Sequence, residues 1–161
     1  MRRLVLLAIA IAAVGLAAAG EAPIAFPEGF RTWAHVSSGL FGPANPAAPK
    51  YEGLHAIYAN PAALEGYRTG KWPDGAVIVF DQWTADKPGA DALGQGQRKF
   101  IDVMVRDSRR YAATGGWGYT EFAWPGRDRV TAIEDNAAKA CGGCHAAKAP
   151  GGDHVFSTFK D

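Results

Sequence analysis

Cys141 and Cys144 stand three residues apart, and His145 follows the second directly. Thiols at this spacing can add across the two vinyl groups of a haem, and the adjoining imidazole then lies beneath the iron as an axial ligand. Other uses of a Cys-x-x-Cys pair fit less well. A disulfide between them would close a very short loop and stabilise little. A redox pair of the thioredoxin kind belongs at the start of a helix after a strand. A zinc site needs a second pair of ligands, and the chain has 2 cysteines in all. The spacing therefore predicts one haem c, held covalently through Cys141 and Cys144 with His145 on the iron. Because the motif lies late in the chain, whatever faces the other side of the iron must come mostly from upstream.

The start of the chain agrees with that chemistry. Arg2 and Arg3 precede an apolar run from Leu4 to Ala19, and Ala17 and Ala19 give a small-residue cleavage signal. This is the pattern of a secretory signal peptide over residues 1–20. The alternative is an uncleaved anchor, but the run is short against the roughly 20 apolar residues that span a bilayer. The expectation is a single haem domain over residues 21–161, exported to the periplasm and free of the membrane once the signal is cut. A chain of this size buries about 68–70% of its unfolded surface, enough for one core around a cofactor. Lys+Arg total 17 against 16 Asp+Glu; without Arg2 and Arg3 the balance is 15 against 16, a formal −1. Nothing in it suggests nucleic acid or an anionic membrane as partner.

The elements that must position the motif alternate strands with short helices. Trp33–Val36 and Leu54–Ala59 read as strands, separated by a Pro/Ala/Gly-rich loop over Gly42–Lys50. Asn60-Pro61 is a helix start, with asparagine as cap and proline at the first helical position. That helix runs to about Arg68 and stops at Gly70. Trp72-Pro73-Asp74-Gly75 makes a turn into a β-branched and aromatic strand, Ala76–Trp83. Phe100–Val105 and Trp117–Trp124 follow as strands, with a short helix around Ser108–Ala113 between them. Ala132 to about Ala146 reads as the helix that carries the cysteines. The sum is an α+β fold: an antiparallel β-sheet with short helices, and a C-terminal helix bearing the haem motif. The number of strand signals excludes a four-helix cytochrome. The only methionine left after signal removal, Met104, lies in a strand, so the iron has one assured protein ligand.

Several stretches follow one another in a specific order: Phe26-Pro27 with Phe30-Arg31-Thr32-Trp33, Ile57-Tyr58-Ala59-Asn60-Pro61, Gly70, and Pro73-Asp74-Gly75-Ala76-Val77-Ile78-Val79. Arg106-Asp107-Ser108-Arg109-Arg110-Tyr111, Gly116-Trp117 and the haem motif complete the set. Taken together they resemble the cytochrome P-460 family, with its cytochrome c-prime-beta branch. The resemblance implies a sheet-rich fold, a five-coordinate haem, an open distal face and a homodimer. In the hydroxylamine-oxidising members a lysine directly after the strand equivalent to Ala76–Val79 bonds to the haem ring. Here that position is Phe80, which has no amine. Lys71 lies before the turn and Lys99 in another segment, so neither takes its place. The departure points to the cytochrome c-prime-beta branch, whose members crowd the distal face with phenylalanines.

The resemblance also assigns places to other residues. Phe80 caps the distal face, its alternative being plain core packing in a buried strand, with Phe41, read as part of the loop, as a second cap. His55 falls where relatives carry an arginine aimed into the distal pocket, and as a histidine it can donate a hydrogen bond, relay a proton or ligate the iron. Its alternative is a satisfied structural histidine. Asp102 falls where cross-linked relatives carry an acid suited to proton transfer; its alternative is an exposed strand aspartate. Arg106, Arg109 and Arg110 can pair with haem propionates or form a solvated face. His35 and His154 read as surface or packing residues.

Three functions follow from these readings. The first is a mono-haem cytochrome binding NO or a similar small gaseous or nitrogenous ligand, since an apolar distal pocket favours neutral diatomics. An open population of about 1–10% would cost such a ligand ten- to a hundredfold in affinity. The second is an oxidoreductase acting on hydroxylamine or NO, or a weak peroxidase. The third is an electron-transfer cytochrome, which needs His55 or Met104 as sixth ligand and a redox partner protein.

Overall fold

The computed structural model describes residues 22–130, 136–149, 151 and 153–159. The expected signal peptide and the first residues of the expected haem-motif helix lie outside them. The strands are β1 (Ala34–Phe41), β2 (Gly53–Ala59), β3 (Val77–Gly89), β4 (Ala92–Arg106) and β5 (Trp117–Ala123). They form one antiparallel sheet whose spatial order is the chain order. Helix α1 (Pro61–Thr69) joins β2 to β3, and a π-helical turn, Ala138–Gly142, leads into α2 (Gly143–Lys148). The α+β expectation is met.

Local chemistry sets several boundaries. Asn60 caps α1 by accepting a hydrogen bond from the Ala63 N–H at 2.8 Å, and Pro61 occupies the first turn where an N–H has no partner to lose. Gly70 closes the helix in the left-handed region at φ 71°, which a Cβ would disfavour. The same Asn60 oxygen also accepts from the Val77 N–H at 3.0 Å, so one side chain ties the helix start to the start of β3.

Other boundaries differ from expectation. β1 runs on to Phe41, which is therefore a strand residue rather than part of the loop. The 108–113 region is a set of turns closing in a short 3-10 segment, Ala112–Thr114. β3 and β4 extend beyond their neighbours, since β2 pairs with β3 only as far as Trp83 and β5 pairs with β4 only from Phe100. Residues 84–97 thus form a two-stranded ribbon. Its Gly-rich, polar sequence lacks the apolar alternation that marks a half-buried strand.

Register sorts the sheet into two faces. On one, Val79, Ile101, Val103 and Phe122 form a core with Phe30 that is closed by Ile24, Phe26 and Trp33 of the N-terminal segment. Each such buried side chain contributes roughly 1.5–3 kcal/mol. On the other face, Ile78, Met104, Trp117 and Tyr119 pack against α1 and the 155–159 segment, with Cys141 at their margin. This second face carries the site.

Candidate functional site

The register places the sequence-nominated residues of β2, β3 and β4 side by side. His55 pairs with Gln82, Ile57 with Phe80, Phe80 with Asp102, and Asp102 with Glu121. Directly opposed residues share a face, so His55, Phe80, Asp102 and Glu121 all project toward the Cys141 side. Phe41 joins them from β1. Its ring lies 4.6 Å from that of His55 and 6.4 Å from that of Phe80, while His55 stacks on Phe80 at 4.8 Å. The four nominated residues therefore form one cluster.

His55 fits there because its neighbour on β1 is Gly39. A Cβ at Gly39 would come within 2.6 Å of His55 Cε1, so only glycine leaves room for the ring. Burial lowers the imidazole's pKa, which keeps it neutral near pH 7. Its Nδ1 is buried without a hydrogen-bond partner among the described residues. A buried ring nitrogen in that state is suited to a ligand that supplies the missing bond.

Beside the rings lies a polar group that sequence reasoning found only in part. The Tyr51 hydroxyl donates to Asp102 Oδ2 at 2.9 Å, and its ring meets Phe80 edge-on at 5.7 Å. Glu121, 7% exposed, stands across from Asp102 and is in contact with the Lys50 ammonium. Burial raises the Asp102 pKa, and the charge and hydrogen bond of Glu121 raise it further, against the smaller opposing effects of Tyr51 and Lys50. Two carboxyl groups this close hold one proton between them more readily than two charges. Asp102 is thus no exposed strand aspartate.

Lys50 and Tyr51 come from the loop, and two side chains of the sheet hold that loop down. Gln82 Nε2 donates to the Tyr51 and Glu52 carbonyls at 2.9 and 3.1 Å. Lys99 Nζ donates to the carbonyls of Pro49, Lys50 and Glu52 at 3.1, 2.6 and 3.1 Å. The amine of Lys99 is committed to this clamp. No signal in the sequence tied Lys50, Tyr51 or Glu121 to the site, because their roles depend on register and on this clamp.

Cys141 and His145 approach from the helical side. Gly142 lets the turn lie close: a Cβ there would be 3.1 Å from Thr114 Cγ2 and 3.5 Å from Tyr119 Cε2. Burial, followed by the Asp102 charge, pushes the Cys141 thiol up to about 11. A thiol of that kind is protonated near neutral pH, the reverse of the lowered pKa that marks a redox-active cysteine. Cys144 is exposed, and neither cysteine is in a disulfide.

The imidazole of His145 is oriented by a bond the sequence did not reveal. Its Nδ1 lies 2.7 Å from the backbone carbonyl of His154. A carbonyl only accepts, so Nδ1 carries the proton and Nε2 keeps its lone pair for a metal. Burial holds the ring's pKa below its ordinary value, so it is neutral and able to ligate near pH 7. Tyr119 and Phe156 flank it at 5.0 and 4.5 Å. The Tyr119 hydroxyl is buried without a partner among the described residues. An imidazole with a fixed tautomer, two free thiols at attachment spacing and an orphaned hydroxyl and ring nitrogen are a donor set that fits a haem.

The remaining nominated residues take other places. Arg106 donates to the Gly115 carbonyl at 2.5 Å and pairs with Asp153 at 3.4 Å. Arg110 donates to the Ala22 carbonyl at 2.6 Å. Arg109 lies at the exposed turn after β4. His35 is at the surface, bonded to Ser38 at 2.7 Å. Met104 is a core residue of the site face, 9% exposed.

A family model described as Cytochrome P460 matches residues 27–157. No curated protein matches the chain.

Proposed function

The chain belongs to the cytochrome P460 family, and from that premise we propose that it is a periplasmic mono-haem c-type cytochrome of the cytochrome c-prime-beta kind, which binds NO or a similar small neutral ligand. Membership itself implies a haem-binding cytochrome; the rest of this reading draws on the residues. Cys141 and Cys144 would hold the haem covalently and His145 Nε2 would ligate its iron. When bound, the haem would supply an iron able to take a small ligand.

The observation that carries the reading is the aromatic cluster of Phe41, His55 and Phe80 on the sheet face toward Cys141. These rings present apolar surface that offers anions little, while the neutral His55 can donate one hydrogen bond. Phe80 also removes the amine on which the family's haem cross-link depends. The signal peptide would be cleaved on export, and a second copy of the chain and a redox protein are the expected partners.

A second reading, an oxidoreductase acting on hydroxylamine or NO, has its own support in the carboxyl pair of Asp102 and Glu121. Asp102 accepts from Tyr51 at one edge of the rings and stands beside Glu121, and Lys50, with its side chain 40% exposed, links Glu121 to solvent. Such a chain could deliver or remove protons at the pocket.

An absorption spectrum of the haem-loaded protein decides among them. A high-spin ferrous haem with an ordinary Soret band that shifts with NO and CO is the expected result. A red-shifted ferrous band would show a cross-link and overturn the use made of Phe80. Sharp low-spin bands without added ligand would favour electron transfer. Cys141→Ser and Cys144→Ser together should release the haem on a denaturing gel; retention would remove these residues as its anchors.

A further inference from the structure

We propose that the Asp153–His154 turn is a clamp on the proximal histidine, and that Arg106 and Gly115 are the positioning residues that set it. The proposal rests on His145 being the iron ligand. Asp153 and His154 both have left-handed backbones, at φ 50° and 70°. Neither is glycine, and in this region the Cβ of an L-residue crowds the following carbonyl oxygen. Two in succession persist only where the surroundings over-determine them.

The surroundings do so from three directions. The His154 N–H donates to the Ala149 carbonyl at 3.1 Å. The His154 ring lies against Gly115, where a Cβ would come within 2.6 Å of its Cε1. Gly115 is itself left-handed at φ 68° and closes the 112–114 turn. Arg106, at the end of β4, joins the two turns: one nitrogen, Nη1, donates to the Gly115 carbonyl and pairs with Asp153 Oδ2. The outcome of this bracing is the His154 carbonyl held 2.7 Å from His145 Nδ1.

A second partner of this kind does more than orient a ligand. A carbonyl accepting from Nδ1–H increases the electron donation of Nε2, and outer partners of metal ligands carry a large share of a site's properties. The sheet thus tunes the donor strength of a histidine that Arg106 itself is not hydrogen-bonded to.

The test uses the haem-loaded full chain, with two readouts: the iron–histidine stretching frequency by resonance Raman, and the reduction potential. Gly115→Ala, Arg106→Gln and Asp153→Asn should each lower the stretching frequency and raise the potential, in that order of size. Arg106→Lys should restore part of both. The sign discriminates for Arg106. Loss of a nearby positive charge alone would lower the potential, whereas loss of the clamp raises it. Arg127→Gln, which removes an exposed pair with Glu28, should change neither readout. Asp153 lies on the surface side of the turn, so its variant serves if Gly115→Ala does not fold. Unchanged frequencies in Asp153→Asn and Arg106→Gln, or a lowered potential in the latter, would overturn the clamp. Absence of any iron–histidine band in the unsubstituted protein would instead overturn the assignment of His145, and the clamp with it.

Discussion

Asp81 and Asp102 sit on adjacent strands but opposite faces of the sheet, and the protein treats them in opposite ways. Both are buried acids whose pKa burial raises. Asp81, wholly buried, receives Arg98 as a two-pronged partner at 2.7 and 3.0 Å, and that guanidinium is itself stacked 4.2 and 4.3 Å from the Trp83 and Trp124 rings. Asp102 receives a tyrosine hydroxyl and a second carboxyl group. One face neutralises its acid and seals it. The other leaves an acid in an unfavourable setting next to three aromatic rings, which is the pattern of a site maintained for chemistry rather than for stability.

The largest effect that could break this contrast lies on the sealed face. Arg98→Met strands the Asp81 charge and should cost about 3–5 kcal/mol in urea unfolding, while the spectrum of the folded haem protein stays as it was. Adding Asp81→Leu should recover most of the loss. A cost below about 1 kcal/mol would mean that the sealed face does not depend on its ion pair.

Asp102→Asn should do the reverse. The folded pKa of Asp102 lies above the unfolded value of about 3.9, so the native state binds the proton more tightly than the unfolded chain. Its destabilising influence is therefore absent below about pH 4 and grows as pH rises through the folded pKa. The amide keeps an acceptor for Tyr51 and has no charge to bury. Thermal unfolding should show a gain on the order of 1–3 kcal/mol at pH 8 and none near pH 4. A loss at pH 8 would place Asp102 with Asp81 as a structural acid.

Phe80→Ala gives the smallest shift and sharpens the assignment of the aromatic rings. Opening the pocket should speed NO and CO association by about tenfold in stopped flow. Unchanged rates would remove Phe80 from the ligand's path.

What could be read in the sequence follows the range of the forces involved. α1 was legible because Asn60, Pro61 and Gly70 act within a few residues of themselves. The haem motif can be nominated from the sequence because the chemistry it would carry lies in five consecutive residues. Phe80, His55 and Asp102 were nominated through the family pattern, and register then brought them together. The ribbon over residues 84–97 is silent in the sequence because polar residues on both faces leave no periodic signal. Lys50 reads as the end of a loop and Tyr51 carries no signal at all, since only the reach of Gln82 and Lys99 across the sheet brings them into place. His154 read as a packing residue by its side chain, and its ring does pack on Gly115; its carbonyl, which no side-chain reasoning addresses, faces His145.

The neighbour-to-neighbour order of the five strands has a consequence for biogenesis. Each strand pairs with the one that precedes it in the chain, so no pairing in the sheet has to wait for a strand further along than the next. All five strands precede Cys141 in the chain. The wall carrying Phe41, His55, Phe80 and Asp102 can therefore pair without any strand contributed by the segment that bears the cysteines.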